Sequence, residues 1–429
     1  MSDTIFALSS APGRAGVAVV RVSGPAAGAA VRALAGPRPA PRQASLRTLR
    51  GVDGAVLDQA LLLWFAGPGS FTGEDLAEFH VHGGRAIVER LLGELAAQPG
   101  LRPAAPGEFT RRAVEAGKLD LTQAEALIDL IDADTEGQRR QAVRQYGGAL
   151  AALYDDWRER LIRTLAWAEA AIDFSDEELP DDVFAQVREK TLQIKDEIDS
   201  HLRDARRGEI VRDGFFLTVI GPPNAGKSSL INALAKRDVA IVAETAGTTR
   251  DIIEVRLDIG GYAVIVADTA GLRETADAVE SEGVRRALAR AGQSDLVLLL
   301  LDGTSDTPPS RDADLVVWNK ADLPGFGARG GLALSLKNGD GLDKLLIELE
   351  EIVSARLATA TEAPVLTRAR HRHALEEAAA ALTRAVPVPE PELFAEDVRL
   401  AVRAIGRITG RVDVEDLLDV VFHDFCIGK

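Results

Sequence analysis

Apolar and polar positions change period along the chain, and the changes mark out its parts. Through residue 118 short apolar runs are cut by Gly and Pro. Val17-Ala18-Val19-Val20-Arg21-Val22 reads as a strand stopped by Ser23-Gly24-Pro25. Ala60 to Phe65 reads as a second, closed by Gly67-Pro68-Gly69, and Glu78 to His82 as a third, closed by Gly83-Gly84. Ala86 to Ala96 carries helical spacing. The mixture predicts an α+β domain over 1–118. From Leu119 the apolar residues recur at three and four: Leu121, Ala124, Leu127, Ile128 and Ile131, then Leu150, Tyr154, Trp157, Leu161 and Leu165. A further helix is predicted from Val183 to Arg206, with Pro180 at the break before it. Charges interleave throughout, as on amphipathic bundle helices. Between Phe215 and Ile352 the runs are strand-like again: Phe216 to Ile220, a hairpin of Val255 to Ile259 and Ala263 to Ala267 about Gly260-Gly261, then Leu296 to Leu301 and Leu315 to Trp318. Strands alternating with helices predict a doubly wound sheet with its ligand at the carboxyl edge. Helical spacing returns from 363. The predicted architecture is multidomain: an α+β N-terminal domain (1–118), an all-α helical domain (119–211 plus 357–429), and an α/β domain (212–356) inserted into it. An insertion requires the two ends of the guest to lie close together.

Composition narrows the possibilities. The 429 residues are 46% hydrophobic and 27% charged, a globular balance that excludes a disordered chain. Lys plus Arg number 50 and Asp plus Glu 66, a net charge of −16. Such a surface does not attract nucleic acid by its overall charge, so any nucleic-acid substrate must be held by a local patch or by a partner. The longest apolar runs fall well short of the ~20 residues of a membrane span. Met1-Ser2-Asp3-Thr4 is not a basic region leading into an apolar stretch, so no signal peptide is expected. The single cysteine, Cys426, excludes an intramolecular disulfide and a multi-cysteine metal site. The expectation is a soluble, cytoplasmic protein with no membrane association. The six histidines (His80, His82, His201, His371, His373 and His423) have no zinc-site spacing, and none is taken as a ligand.

The inserted domain carries the chemistry. Gly221-Pro222-Pro223-Asn224-Ala225-Gly226-Lys227-Ser228 fits G-x-x-x-x-G-K-[ST] between a strand and the helical run Ser229 to Leu234. Loop N–H groups and the helix N-terminus suit phosphates, Lys227 suits the β/γ-phosphates, and Ser228 suits Mg²⁺. Three motifs follow in order. Asp268-Thr269-Ala270-Gly271 ends one strand, with Asp268 placed for Mg²⁺ through water and Gly271 for the γ-phosphate. Asn319-Lys320-Ala321-Asp322 ends another; a carboxylate there accepts both donors of the guanine edge, which adenine lacks. Thr248-Thr249-Arg250-Asp251 lies where a switch threonine reaches Mg²⁺, and Ser335-Leu336-Lys337 is the loop behind the base. This order points to GTP rather than ATP and makes the inserted domain a P-loop GTPase domain. Many GTP hydrolases orient the attacking water with a glutamine directly after D-x-x-G. That position is Leu272, so another group must act; Glu274, Asp277, Glu280 and Glu282 are the acids at hand.

Taken together, these blocks resemble the tRNA-modification GTPase MnmE (TrmE) family. The resemblance rests on the P-loop, Ala246-Gly247-Thr248-Thr249-Arg250-Asp251, Asp268-Thr269-Ala270-Gly271-Leu272-Arg273 and the terminal Cys426-Ile427-Gly428-Lys429. It extends to Pro12 to Gly24, Ser70-Phe71-Thr72-Gly73-Glu74-Asp75 and Pro106-Gly107-Glu108-Phe109-Thr110. The resemblance implies an N-terminal domain that binds a tetrahydrofolate derivative (5-formyl or 5,10-methylene form) and drives a homodimer, with folate contacts at Arg21, Glu78, Lys118 and Lys429. It implies K⁺ held by Asn224 and by backbone of Ala243, Thr245 and Thr248, and Mg²⁺ held by Ser228 and Thr249. Glu280 becomes the catalytic acid, filling the gap left by Leu272. The nucleotide set is then Asn224, Ala225, Gly226, Lys227, Ser228 and Ser229, with Ala243, Glu244, Thr245, Ala246, Gly247, Thr248 and Thr249. It continues through Asp268, Thr269, Ala270 and Gly271 to Asn319, Lys320, Asp322, Ser335, Leu336 and Lys337. The implied activity is potassium-dependent GTP hydrolysis serving modification of the tRNA wobble uridine at C5 to a (carboxymethyl)aminomethyl group. The implied partner is the flavoprotein MnmG, in a heterotetramer that also takes the tRNA.

Two positions depart from the family pattern. Leu336 replaces a small alanine behind the base, and the segment between Leu301 and Leu315 is short enough to predict a reduced or missing helix. Cys426 reads either as an inert apolar residue or as a thiol near the folate site. Two other readings compete: a GTPase of ribosome assembly acting by binding, and a regulatory GTPase whose N-terminal domain is only a dimerisation scaffold.

Overall fold

A computed structural model describes residues 3–173, 183–237, 239–241, 254–268, 294–305, 313–327, 330–357 and 365–412, with Leu418, Val421, Phe422, Phe425, Ile427 and Gly428 beyond them. Two compact units emerge, Met1–Ile128 with Gly406–Lys429, and Asp129–Ile405.

The first unit is built on a six-stranded sheet of order β3-β4-β5-β2-β1-β6. Its strands are β1 (Thr4–Leu8), β2 (Ala15–Ser23), β3 (Ser45–Arg50), β4 (Val56–Phe65), β5 (Leu76–Gly83) and β6 (Leu101–Pro103). All pairings are antiparallel except β1 with β6. The alternation that predicted β2 and β5 has a clear cause. Val20, Val22, Phe79 and Val81 point into one core with Leu62 and Trp64, covered by Val31 and Leu34 of α1 (Ala27–Ala35) and by Leu91 and Leu95 of α2 (Arg85–Ala96). Each such side chain contributes about 1.5–3 kcal/mol by leaving water. Helix α3 (Glu108–Glu115) seals a smaller cluster by placing Phe109 against Ile5 and Ala7. Helix α4 (Leu121–Ile131) packs Leu121 and Ala124 on Leu418, Phe422 and Phe425. The last described residues run back along the sheet: Ile427 bridges Pro106, and the Ser9 hydroxyl donates to the Gly428 carbonyl at 2.8 Å.

The second unit combines a helical bundle with a second six-stranded sheet. The bundle contains α5 (Glu136–Tyr146), α6 (Ala149–Asp173), α7 (Val183–Asp213), α10 (Ala369–Ala385) and α11 (Pro391–Thr409). Tyr154, Trp157, Leu161, Ile194, Ile198 and Leu375 are buried at the helical spacing read from the sequence. The sheet has the order β12-β11-β10-β7-β9-β8. Its strands are β7 (Phe215–Ile220), β8 (Glu254–Ile259), β9 (Tyr262–Asp268), β10 (Leu296–Asp302), β11 (Leu315–Asn319) and β12 (Leu332–Ala333). Only β8 runs antiparallel to its neighbour, closing the predicted hairpin. Helices α8 (Lys227–Ala235) and α9 (Leu342–Leu357) cover the face holding Leu217, Val219, Leu298, Leu300 and Val317. Leu299, Leu301 and Trp318 are buried on the opposite face, so β10 reads as an unbroken leucine run.

The insertion is visible at its seam. Gln141 Nε2 donates to the Gly208 carbonyl at 3.0 Å, and Arg212 Nη1 to the Thr367 carbonyl at 2.7 Å. The end of α7 entering the sheet domain thus lies beside the chain returning from it, the proximity an insertion demands. The fold class is the expected one: α+β, all-α, and an inserted α/β domain of P-loop type. The segment expected to lack a full helix between β10 and β11 lies mostly outside the described residues. Among the described residues, no helix is long and apolar enough to cross a membrane.

Candidate functional site

Strand β7 lies at the centre of its sheet, between β9 and β10, where the connections leave toward opposite edges. That is the switch point at which a doubly wound sheet opens a crevice. The chain leaves β7 at Gly221 and enters α8 through Asn224 at φ 62° and Gly226 at φ 105°. Gly226 is required twice: its backbone is left-handed, and a Cβ there would sit 2.5 Å from Asn319 Nδ2. Ala225 is buried, whereas Asn224, Ser228 and Ser229 are exposed along the loop and the first turn of α8. Lys227 Nζ donates to the carbonyls of Gly221 at 2.9 Å and Pro222 at 3.0 Å, so its ammonium bridges the loop.

The base-side residues gather against this loop. Asn319 ends β11 in register with Asp302 of β10 and is buried. Its Nδ2 donates to the Ala225 carbonyl at 2.8 Å; its Oδ1 accepts from the N–H groups of Lys320 at 2.7 Å and Leu336 at 3.2 Å. One amide therefore joins the phosphate loop, its own motif and the loop behind the base. Ser335 donates its hydroxyl to Asp322 Oδ1 at 2.7 Å, fixing the orientation of that carboxylate. Leu336 keeps the backbone contact of that loop and packs its side chain on the domain core. Lys337 is exposed.

Asp302 was not anticipated. Its Oδ2 accepts from Lys320 Nζ at 2.6 Å, and its Oδ1 from the Thr304 N–H at 3.0 Å and hydroxyl at 2.7 Å. Burial acts to raise its pKa, but these hydrogen bonds outweigh it and bring the carboxyl to about 2. The only local signal was a single acid ending an apolar strand.

Asp268 ends β9 in register with Val219 of β7, so its backbone reaches the same edge. Ala243, Glu244, Thr245, Ala246, Gly247, Thr248 and Thr249, with Thr269, Ala270, Gly271, Leu272 and Glu280, lie outside the described residues. The same holds for Cys426 and Lys429.

In the first unit Arg21 and Glu78 are cross-strand partners on β2 and β5. Arg21 donates from Nε at 3.1 Å and Nη2 at 2.9 Å to Glu78 Oε1, and its guanidinium lies 5.6 Å from the ring centres of both Phe71 and Phe109. His80 Nε2 lies 3.4 Å from the other carboxylate oxygen of Glu78. The Lys118 stem is beside Gly73, in the same loop as Phe71. Gly428 approaches Ser9, and the preceding Leu8 and Ala7 pair with Val20 and Arg21. Arg21 and Glu78 are thus brought together, and Lys118 borders the loop that carries Phe71.

A cavity of about 930 Å³ in this unit is lined by Glu74, Arg102, Glu108, Arg111, Arg112 and Phe422, among others. Its charges are mutually satisfied. Arg112 pairs with Glu74 at 3.1 Å, Glu108 at 2.9 Å and Asp3 at 2.7 Å. Burial pushes Glu108 up, but Arg102, the Ala105 N–H and Arg112 together hold it below the ordinary carboxylate range. Ser23, hydrogen-bonded to Glu74 and Thr72, links this network to β2. Ser23, Thr72, Glu74 and Glu108 fall in motif blocks noted in the sequence, whereas Asp3, Arg102 and Arg112 do not, and nothing local revealed that they meet.

Comparison with known proteins settles the family. A model of the MnmE helical domain matches residues 121–426, and one of the GTP-binding protein TrmE N-terminus matches residues 4–118. The chain belongs to the MnmE (TrmE) family. Relatives named tRNA modification GTPase MnmE match over their full lengths: 54% identity over 446 residues in Paramagnetospirillum magneticum and 55% over 441 in Parvibaculum lavamentivorans, each covering 100% of both chains. Among solved structures, an Aquifex aeolicus Era variant bound to GDP and aluminium fluoride is 24% identical, covering 32% of this chain and 56% of its own, with a TM-score of 0.25. The G domain of the T. maritima FeoB iron transporter is 21% identical, covering 33% and 98%, with a TM-score of 0.23. In this MnmE-family chain the motif residues that define a guanine-nucleotide site are therefore read within a full-length family match.

Proposed function

We propose that this MnmE-family GTPase couples GTP hydrolysis to modification of the tRNA wobble uridine at C5, forming a (carboxymethyl)aminomethyl group. The one-carbon donor is a tetrahydrofolate derivative bound by the N-terminal 118 residues, and the redox partner is the flavoprotein MnmG. The chain acts as a homodimer within a heterotetramer and takes its tRNA largely through that partner, in keeping with a net charge of −16. Its place of action is the cytoplasm.

The observation that carries the nucleotide reading is the union of phosphate loop and base loop through Asn319. With Ser335 holding Asp322, the carboxylate meets the two N–H donors of guanine; adenine would leave it unpaired, and a site of this kind discriminates by roughly 10⁴-fold or more. Ser228 and Thr249 offer hard oxygen donors suited to Mg²⁺. The Asn224 amide with the carbonyls of Ala243, Thr245 and Thr248 suits K⁺, which when bound supplies positive charge beside the β- and γ-phosphates. Glu280 orients the water in place of the missing glutamine. For folate, Glu78 accepts from the pterin N–H edge, and Arg21, Lys118 and Lys429 offer charge for its carboxylates.

Nucleoside analysis of tRNA from cells with and without the gene tests the reading; loss of the modified wobble uridine is expected, and an unchanged profile would refute it. GTP turnover is expected to be faster in K⁺ than in Na⁺, and equal rates would remove the cation from the account. Titration of the full chain with 5-formyltetrahydrofolate tests the N-terminal site.

A further inference from the structure

The Asp302–Lys320 contact differs from an ordinary surface ion pair, which contributes little because both side chains must be ordered to form it. Here both ends are already placed. The Gly303 N–H donates to the Asn319 carbonyl at 2.9 Å, and the Gly327 N–H donates to the Gly303 carbonyl at 3.2 Å, so the turn after β10 is tied to both sides of the 319–327 loop. Within that turn the carboxylate is held by two donors from Thr304. On the other side Lys320 has φ 68°, a left-handed backbone that disfavours a lysine. That conformation lets Asn319 reach the phosphate loop while Asp322 faces Ser335.

We propose that Asp302 is a positioning residue for guanine recognition. One carboxylate oxygen fixes its own turn; the other anchors the Lys320 ammonium. The lysine stem is thereby set beside the base crevice, and the left-handed turn between Asn319 and Asp322 is held in place before nucleotide arrives. The inference rests on the guanine-nucleotide reading of the site and adds a residue outside its motifs.

The test is Asp302→Asn in the full chain. An asparagine Oδ1 still accepts from Thr304, so the turn is retained, but its Nδ2 presents a donor to Lys320. The expected result is GDP binding, read with a fluorescent GDP, weakened about tenfold. The rate at saturating GTP should stay within about twofold of wild type, with KM raised. Asp302→Glu, which keeps the charge, should recover part of the affinity. In a Lys320→Met background, Asp302→Asn should change affinity by less than about twofold, because its effect passes through Lys320. An unchanged Kd in Asp302→Asn beside normal wild-type binding would overturn the role of Asp302 alone. So would an equal loss with and without Lys320, which would place the effect in the fold of the turn. A wild-type chain that binds no guanine nucleotide would overturn the reading of the site and this role with it.

Discussion

Three glutamines of α5, Gln138, Gln141 and Gln145, face the two chain crossings into and out of the inserted domain, and Gln141→Leu tests whether they couple it to the bundle. Leucine keeps the approximate shape and removes the amide. Gln141 is 6% exposed and donates to the Gly208 carbonyl at 3.0 Å. Gly208 lies within α7, so its carbonyl keeps its helical partner, and the loss of the amide costs one buried hydrogen bond, about 0.5–1.5 kcal/mol. Gln145 reaches the Val365 carbonyl only at 3.5 Å but also accepts from the buried Thr367 hydroxyl at 3.3 Å, so Gln145→Leu should cost about as much as Gln141→Leu. The assay is urea unfolding of the full chain, followed separately at Trp157 in the bundle and Trp318 in the sheet, each made the sole tryptophan by Phe substitution of the others. Both are 2% exposed and report their own surroundings. With a slope near 2–3 kcal/mol per molar urea, a cost of about 1 kcal/mol moves a midpoint by roughly 0.3–0.5 M. The Trp318 transition of Gln141→Leu should move to lower urea and part from that of Trp157. Coincident, unshifted transitions would refute the coupling.

Other substitutions extend the argument. His201 packs half-buried against Tyr154 and Trp157 with His371 nearby, and desolvation lowers its pKa from 6.5 to about 4. The unfolded chain then binds more protons between those values, so its contribution is full above pH 6.5 and falls by roughly 3 kcal/mol as pH drops toward 4. His201→Gln should flatten that part of a stability–pH curve relative to wild type; identical curves would contradict the assignment. Arg112→Ala leaves Glu74 and Glu108 without their shared cation, and should cost about 3 kcal/mol in unfolding followed at Trp64. Glu280→Ala should lower GTP turnover at nearly unchanged GTP affinity, as for a group used only in the transition state; a large loss of affinity would contradict that role.

What could be read from the sequence was what is local. The phosphate loop was legible because its left-handed turn at Gly226 demands a glycine at a fixed spacing. Strands β2, β5 and β10 were legible because one or both faces are buried. Strand β3 was not: Ser-Leu-Arg-Thr-Leu-Arg lies at the sheet edge, where alternate positions stay polar and exposed. Helix α1 hid in an alanine-rich stretch with little polar contrast. Helix α7 runs to Asp213 rather than to Arg206, because its last polar turns are capped from outside by Gln138 and Gln141. The Arg112 network escaped for the same reason, since Asp3 lies 109 positions from the guanidinium it meets.

The geometry also joins two loops that motif order alone leaves apart. Asn319 binds the Ala225 carbonyl and the Leu336 N–H, and Asp302 secures Lys320, so the phosphate loop and the base loop form one connected body on β7, β10 and β11. Of the residues expected to place water and cations, Asn224 and Ser228 belong to the phosphate loop itself, while 243–249 and 268–280 flank β8 and β9 in the sequence. Contacts to the base are made equally to substrate and transition state, whereas contacts at the phosphates can strengthen as charge develops. Changes at Asn319, Lys320, Asp302 or Asp322 should therefore move nucleotide affinity, while changes around Thr249 or Glu280 should move turnover. The β8–β9 hairpin meets the bundle at its turn, where the Gly137 N–H of α5 donates to the Gly261 carbonyl at 2.7 Å. That contact ties the inserted sheet domain to the helical bundle at a point away from the base loop.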